Sequence, residues 1–194
     1  MKRLILILLC FLMLPLLTAY HPGVDYMAIA IECAASGDAD GGREAMEARD
    51  EKIEDLGLDY PLIAWEDLYL LSKIMYAEAG SNWLSDEHRL YVGNVLLNRV
   101  ASPEFADTIE DCIYSPGQYY PQSSRYFANL RPTEREVKLA VRLLEGERFM
   151  PPSVVFQSNE ILGSGVWLEI KDRLLGSTYF GYSSRPELYE EGTT

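Results

Sequence analysis

The pair Pro151-Pro152 splits the sequence by hydrophobic period, and any fold assigned to the chain has to respect that split. Upstream, apolar residues recur at the three-and-four spacing of amphipathic helices. One such stretch covers residues 65–79. A second runs over 85–100, with Ser85 as N-cap and Asp86 and Glu87 in the first turn, where they favour the helix dipole. A third opens on Thr133 with Glu136 three residues on, the signature of a capping box, and closes at Gly146. Downstream, the short runs VVFQ (154–157), VWLEI (166–170) and TYFGY (178–182) are rich in β-branched and aromatic residues and read as strands. Residues 171–177 join the last two as a hairpin loop. Residues 101–132, dense in Pro, Gly, Ser and Tyr, predict loop with a short helix near 108–113. Helices followed by a small antiparallel sheet define an α+β class.

Four segments follow from composition. Residues 1–19 pair basic Lys2 and Arg3 with an apolar run over 4–14 and a small-residue site at Ala19, the pattern of a cleavable signal peptide. That run is short for a membrane span, which needs about 20 apolar residues. Secretion is the expected destination, with an uncleaved signal anchor as the alternative. Residues 20–60 predict a helical hairpin, with helices over 26–35 and 43–55 and a turn-rich break at 36–42; it either packs on the main domain or acts as a spacer. The main domain spans 61–185, and 186–194 form a tail.

The formal charge is −13, and it is more negative by two once Lys2 and Arg3 are removed. That balance argues against nucleic acid or an anionic membrane surface as a partner. Recognition of a polysaccharide would rest on aromatic faces and neutral hydrogen bonds, and 13 tyrosines and three tryptophans allow it. Beyond the leader, Cys33 and Cys112 can form a disulfide or remain two unrelated thiols. With two histidines and no CxxC or HExxH motif, the sequence offers no metal site and implies no cofactor.

The position that constrains chemistry most is Glu78. At 100° per residue it falls inside an apolar arc flanked by Leu70, Ile74 and Ala77 on one side and Leu68, Leu71 and Met75 on the other. Gly80 marks the helix end. Desolvation and the negative end of the helix dipole both favour the protonated carboxyl, which is how a protein keeps a glutamic acid ready as a general acid. The competing reading is a glutamate at a fraying helix end that reaches water. Periodicity alone leaves both open.

The order of motifs resembles that of the SleB-like family of cell wall hydrolases and spore-cortex-lytic enzymes. The matching stretches are YAEA (76–79), VGNVLLNRV (92–100), SPEF (102–105), IYSPGQY (113–119), the helix after Pro132-Thr133, VFQ (155–157) and TYF (178–180). The resemblance implies a lysozyme-like α+β fold and action on peptidoglycan glycan strands, with Glu78 as the catalytic acid. It further implies a lytic transglycosylase, in which one carboxylate acts as acid and then base; a hydrolytic muramidase using Glu78 and a water is the alternative. A third possibility is an inactive wall-binding protein on the same scaffold. Where the family often carries a second glutamate this chain has Asn82, which favours the single-carboxylate reading.

Candidate substrate contacts are Gln118 and Tyr119, presented outward by the Pro116-Gly117 turn, and Gln157 on the first strand, with Phe156 facing the core instead. Asn98 and Arg99 read as braces at a helix end, Glu104 as a solvated turn residue, and Tyr76 as lying away from substrate. Trp167 suits either sugar stacking or the sheet core.

Overall fold

The computed structural model describes residues 24–189. The expected leader and the end of the tail lie outside that range. Seven helices precede three strands. They are α1 (Tyr26–Ser36), α2 (Ala39–Asp55), α3 (Trp65–Ala79), α4 (Asp86–Val100), α5 (Ile109–Tyr114), α6 (Arg125–Asn129) and α7 (Glu134–Leu144). The strands β1 (Val154–Ser158), β2 (Val166–Asp172) and β3 (Gly176–Tyr182) form one antiparallel sheet in the order β1-β3-β2. The α+β class is the observed one.

Caps set the helix starts as the sequence dictates. The Ser85 side chain accepts from His88 N at 3.1 Å. At α7, Glu136 Oε2 accepts from Thr133 N at 3.1 Å, completing the capping box. The break expected over 36–42 is shorter than its glycine content suggests. Gly37, at φ 81°, ends α1, and the Asp38 side chain caps α2 through Gly41 N at 3.0 Å. Gly41 and Gly42 are helical, and Gly42 has a packing reason to be glycine. The Trp65 ring lies so close that a Cβ at position 42 would sit 2.2 Å from it. The hairpin loop between β2 and β3 is also tighter than expected. Asp172 Oδ1 accepts from Leu174 N and Leu175 N at 2.7 and 2.8 Å, so both strands run on into the turn.

The α1–α2 hairpin packs on the main domain. Its Ala30, Ala34, Ala45 and Met46 belong to one buried cluster with Trp65, Leu68 and Leu71 of α3 and Val137, Ala140 and Leu143 of α7. Helix α4 joins the two layers. Val92 and Leu96 enter that helical core, while Val95 packs with Met150, Val154 and Phe180 under the sheet. Trp167 meets Tyr91 edge-on at 5.5 Å and packs, half-buried, against the sheet core. Gln157 pairs across the ladder with Phe180, which is fully buried beneath the sheet. Phe156 therefore lies on the opposite face, against Gly163 and Gly181, which corrects the expectation that it faces the core. The cause is a register shift between Val154 and Phe156, which lets Val154 and Val155 both be buried.

Candidate active site

Glu78 stands one residue from the end of α3 and is half-buried. Burial raises its carboxyl above the usual glutamate range, against a lowering pull from the Tyr120 hydroxyl and the Arg99 guanidinium. Tyr120 OH donates to Glu78 Oε1 at 3.1 Å. The phenol is itself pushed up by burial and by the facing carboxylate, so it acts as a donor and stays protonated. Its ring is fixed by stacking on Phe127 at 4.8 Å and 7°. Phe127 in turn lies under the Lys73 ammonium, 4.6 Å from the ring centroid. Lys73 is 5% exposed, and burial pulls its amine down. The aromatic column thus ties the 115–130 segment to the helix that carries Glu78.

Arg99 is the second organiser. Buried at the end of α4, it donates from Nε to Val155 O at 2.7 Å and from Nη1 to Gln118 Oε1 at 3.0 Å. Its guanidinium lies between the rings of Phe105 and Tyr119, at 5.1 and 4.8 Å. The bracing role read from sequence is present, and with it an electrostatic influence on Glu78. Asn98 is the brace that was expected, donating to Pro151 O and Val154 O at 2.8 and 2.9 Å.

Of the anticipated substrate contacts, Gln118 lines a cavity of about 730 Å³ formed by residues 114–118 and 120–123. The turn that presents it has Pro116 followed by Gly117 at φ 81°, and Gln118 N returns to Ser115 O at 3.0 Å. Tyr119 turns inward: its hydroxyl is buried with no hydrogen-bond partner, and Arg99 covers the ring. The outward tyrosine is Tyr120, which both lines the cavity and holds Glu78. Gln157 has a buried, unpartnered Oε1 on the Phe180 side of the sheet and makes no hydrogen bond to Glu78, Gln118 or Tyr120. Sequence reasoning passed over Tyr120, Lys73 and Phe127. The doubled tyrosine after a Pro-Gly turn was a signal for the first; no local pattern marks the other two.

The other carboxylates that follow Glu78 in sequence have partners of their own. Glu104, expected to be solvated, accepts from the Ser183 hydroxyl, from Arg185 Nε at 3.0 Å and from Tyr189 OH at 2.8 Å. Burial pulls its carboxyl upward, but these three donors together hold it below the ordinary range. It ties the 102–105 turn to the end of the sheet. Asp86 pairs with Arg135 at 2.5 Å, and Glu87 accepts from Tyr91 OH at 2.6 Å. Asn82 is exposed. Cys33 and Cys112 are both free thiols, and Cys112 donates to Ala106 O at 3.0 Å.

The site is thus a half-buried acid at a helix end, held by a phenol that also lines a cavity without charged side chains. The family model described as Cell Wall Hydrolase matches residues 85–178, a span that includes Arg99, Gln118, Tyr120 and Gln157 and begins after Glu78. Over residues 85–178 the chain is therefore similar to the cell wall hydrolase family. Among curated proteins, the chain is similar to the cell wall hydrolase CwlJ of Halalkalibacterium halodurans, 39% identical over 90 residues, which cover 44% of this chain and 61% of that protein. It is also similar to the cell wall hydrolase CwlJ of Oceanobacillus iheyensis, 36% identical over 92 residues, covering 45% and 63%. The chain thus spans about three fifths of the length of these relatives. No solved structure matches the chain.

Proposed function

We propose that the protein degrades peptidoglycan by cleaving the glycosidic bond between N-acetylmuramic acid and N-acetylglucosamine, as a lytic transglycosylase with Glu78 as its one catalytic carboxyl group. The observation that carries this reading is the setting of Glu78: burial favours its protonated form, and the acids that follow it in sequence, Asp86, Glu87 and Glu104, each have a partner of their own. Protonated Glu78 donates to the bridging oxygen as the bond from the muramic C1 breaks. The resulting carboxylate takes the proton of the muramic C6 hydroxyl, and O6 closes on C1 to give a 1,6-anhydro end. The proton returns to Glu78, and neither water nor a protein nucleophile is consumed. A two-carboxylate glycosidase would need a second free acid at a defined separation across the bond. Export through the leader at 1–19 would place the enzyme with this substrate.

Mass spectrometry of digested cell wall tests the reading. Wild type should release anhydro-ended fragments and Glu78→Gln should release none. Reducing ends would replace this mechanism with hydrolysis by Glu78 and a water. No release by wild type, or equal release by the variant, would reduce the protein to a wall-binding scaffold.

A further inference from the structure

The contact between Arg99 and Gln118 gives the cavity a chemical polarity. A guanidinium can only donate, so the atom 3.0 Å from Arg99 Nη1 has to be the amide oxygen of Gln118. The orientation of this amide is therefore fixed by chemistry, where a glutamine facing water would be free to flip. Arg99 cannot yield either, since it is 8% exposed, anchored on Val155 O and enclosed by the Phe105 and Tyr119 rings. With its oxygen turned to Arg99, Gln118 has its NH2 group free, which donates to no protein group among the described residues. Gln118 lines the cavity of about 730 Å³, whose lining carries no charged side chain in a chain of net charge −13. That volume lies within the range of small-molecule sites, roughly 300–1,000 Å³. Tyr120 lines the same space and donates to Glu78, so the cavity and the acid are joined through this one phenol.

We propose that Gln118, locked by Arg99, is a specificity-determining donor that reads the acetamido carbonyl of an uncharged N-acetylhexosamine held in the cavity of residues 114–123. This rests on the glycan reading above and narrows it: the sugar must be N-acetylated, and a free amine at the same carbon is refused. An ammonium brings only donors, and the Gln118 NH2 group cannot accept from it.

The test is calorimetric binding to the full chain carrying Glu78→Gln, so that nothing turns over, using the N-acetylglucosamine tetramer and its fully de-N-acetylated counterpart. The acetylated tetramer should bind at least about tenfold more tightly, the worth of one well-placed hydrogen bond. General attraction of the acidic chain for the cationic tetramer works against that result, so net charge cannot produce it. Adding Gln118→Glu replaces the donor by an acceptor that can still pair with Arg99, and the preference should invert. Adding Gln118→Met, of similar length, should abolish the preference for the acetylated tetramer without the gain that the carboxylate confers. Equal binding of both tetramers by the Gln118 protein, binding of neither, or an unchanged preference after Gln118→Glu would overturn the proposal. Wall cleavage without N-acetyl preference would sink this inference alone; preference in binding without any wall cleavage would sink the proposed function alone.

Discussion

The Tyr120 hydroxyl donates to Glu78 Oε1 at 3.1 Å, and this one bond joins the 115–123 loop to the end of α3. A donor to a carboxylate stabilises its ionised form, so the bond opposes the upward pull of burial. Tyr120→Phe removes the donor and keeps the ring stacked on Phe127. Glu78 should then hold its proton to higher pH, and the alkaline limb of the pH–rate profile should move upward. A profile that stays in place while activity falls would mean the hydroxyl serves the substrate instead.

Glu78→Gln should stabilise the protein while abolishing activity. The folded-state carboxyl titrates above its unfolded value. The stability it contributes is fully present below the unfolded pKa and is lost as pH rises through the folded pKa. At neutral pH the ionised group is a burden that the amide removes, by about 1 kcal/mol, the usual scale of such active-site trade-offs. Denaturant midpoints of the two proteins should converge in acid and separate as pH rises.

His88 should make the fold acid-sensitive. It is 3% exposed, its Nδ1 lacks a partner, and its ring meets Phe180 edge-on at 5.9 Å. Burial lowers its pKa, Arg89 adds to that, and Asp172 opposes it. A histidine whose folded pKa is depressed keeps its stabilising neutral state above the unfolded value, near 6.5. Stability is then lost as pH falls from there through the folded pKa. His88→Leu should flatten that part of the stability–pH curve, read by urea denaturation.

Arg89 and Glu136 are each 1% exposed and pair at 2.7 Å between α4 and α7. Arg89 also donates to Leu84 O, Ser85 O and Ser81 O, and Glu136 completes the α7 capping box. Glu136→Ala should cost about 3–5 kcal/mol, because it strands a buried guanidinium. Adding Arg89→Met should recover part of that loss, giving a double-mutant cycle far from additive.

Gly42→Ala tests whether the hairpin is integral. The added methyl would meet the Trp65 ring, so α2 or the ring has to move. We expect a loss of about 1–3 kcal/mol in the single unfolding transition of the whole chain. A hairpin that melts separately, leaving the main transition untouched, would contradict the shared core.

Apart from α6, which lies in the stretch read as loop, element type and order were legible in the sequence because they rest on local physics. The caps at Ser85 and Thr133, the period change at Pro151-Pro152 and the Pro116-Gly117 turn each act within a few residues. Local composition misled where a distant residue set the outcome. Gly42 reads as a turn former until Trp65 is placed against it, and Glu104 reads as solvated until Ser183, Arg185 and Tyr189 return to it from the far end of the sheet. The alternation argument for Phe156 failed on a bulge that no residue type announces.

The candidate site divides along the same line. The sequence placed an acid within the apolar arc of α3 near its end, leaving open whether it reaches water, and marked a Pro-Gly turn that presents an amide and aromatics. Only the tertiary structure decided which tyrosine meets Glu78, that Arg99 orients Gln118, and that Lys73 holds the ring behind Tyr120. Helical phase and turn type are fixed by neighbours in the chain. Burial, hydrogen-bond partners and the raised pKa of Glu78 depend on groups up to 56 residues apart in the chain, which come together only when the core closes.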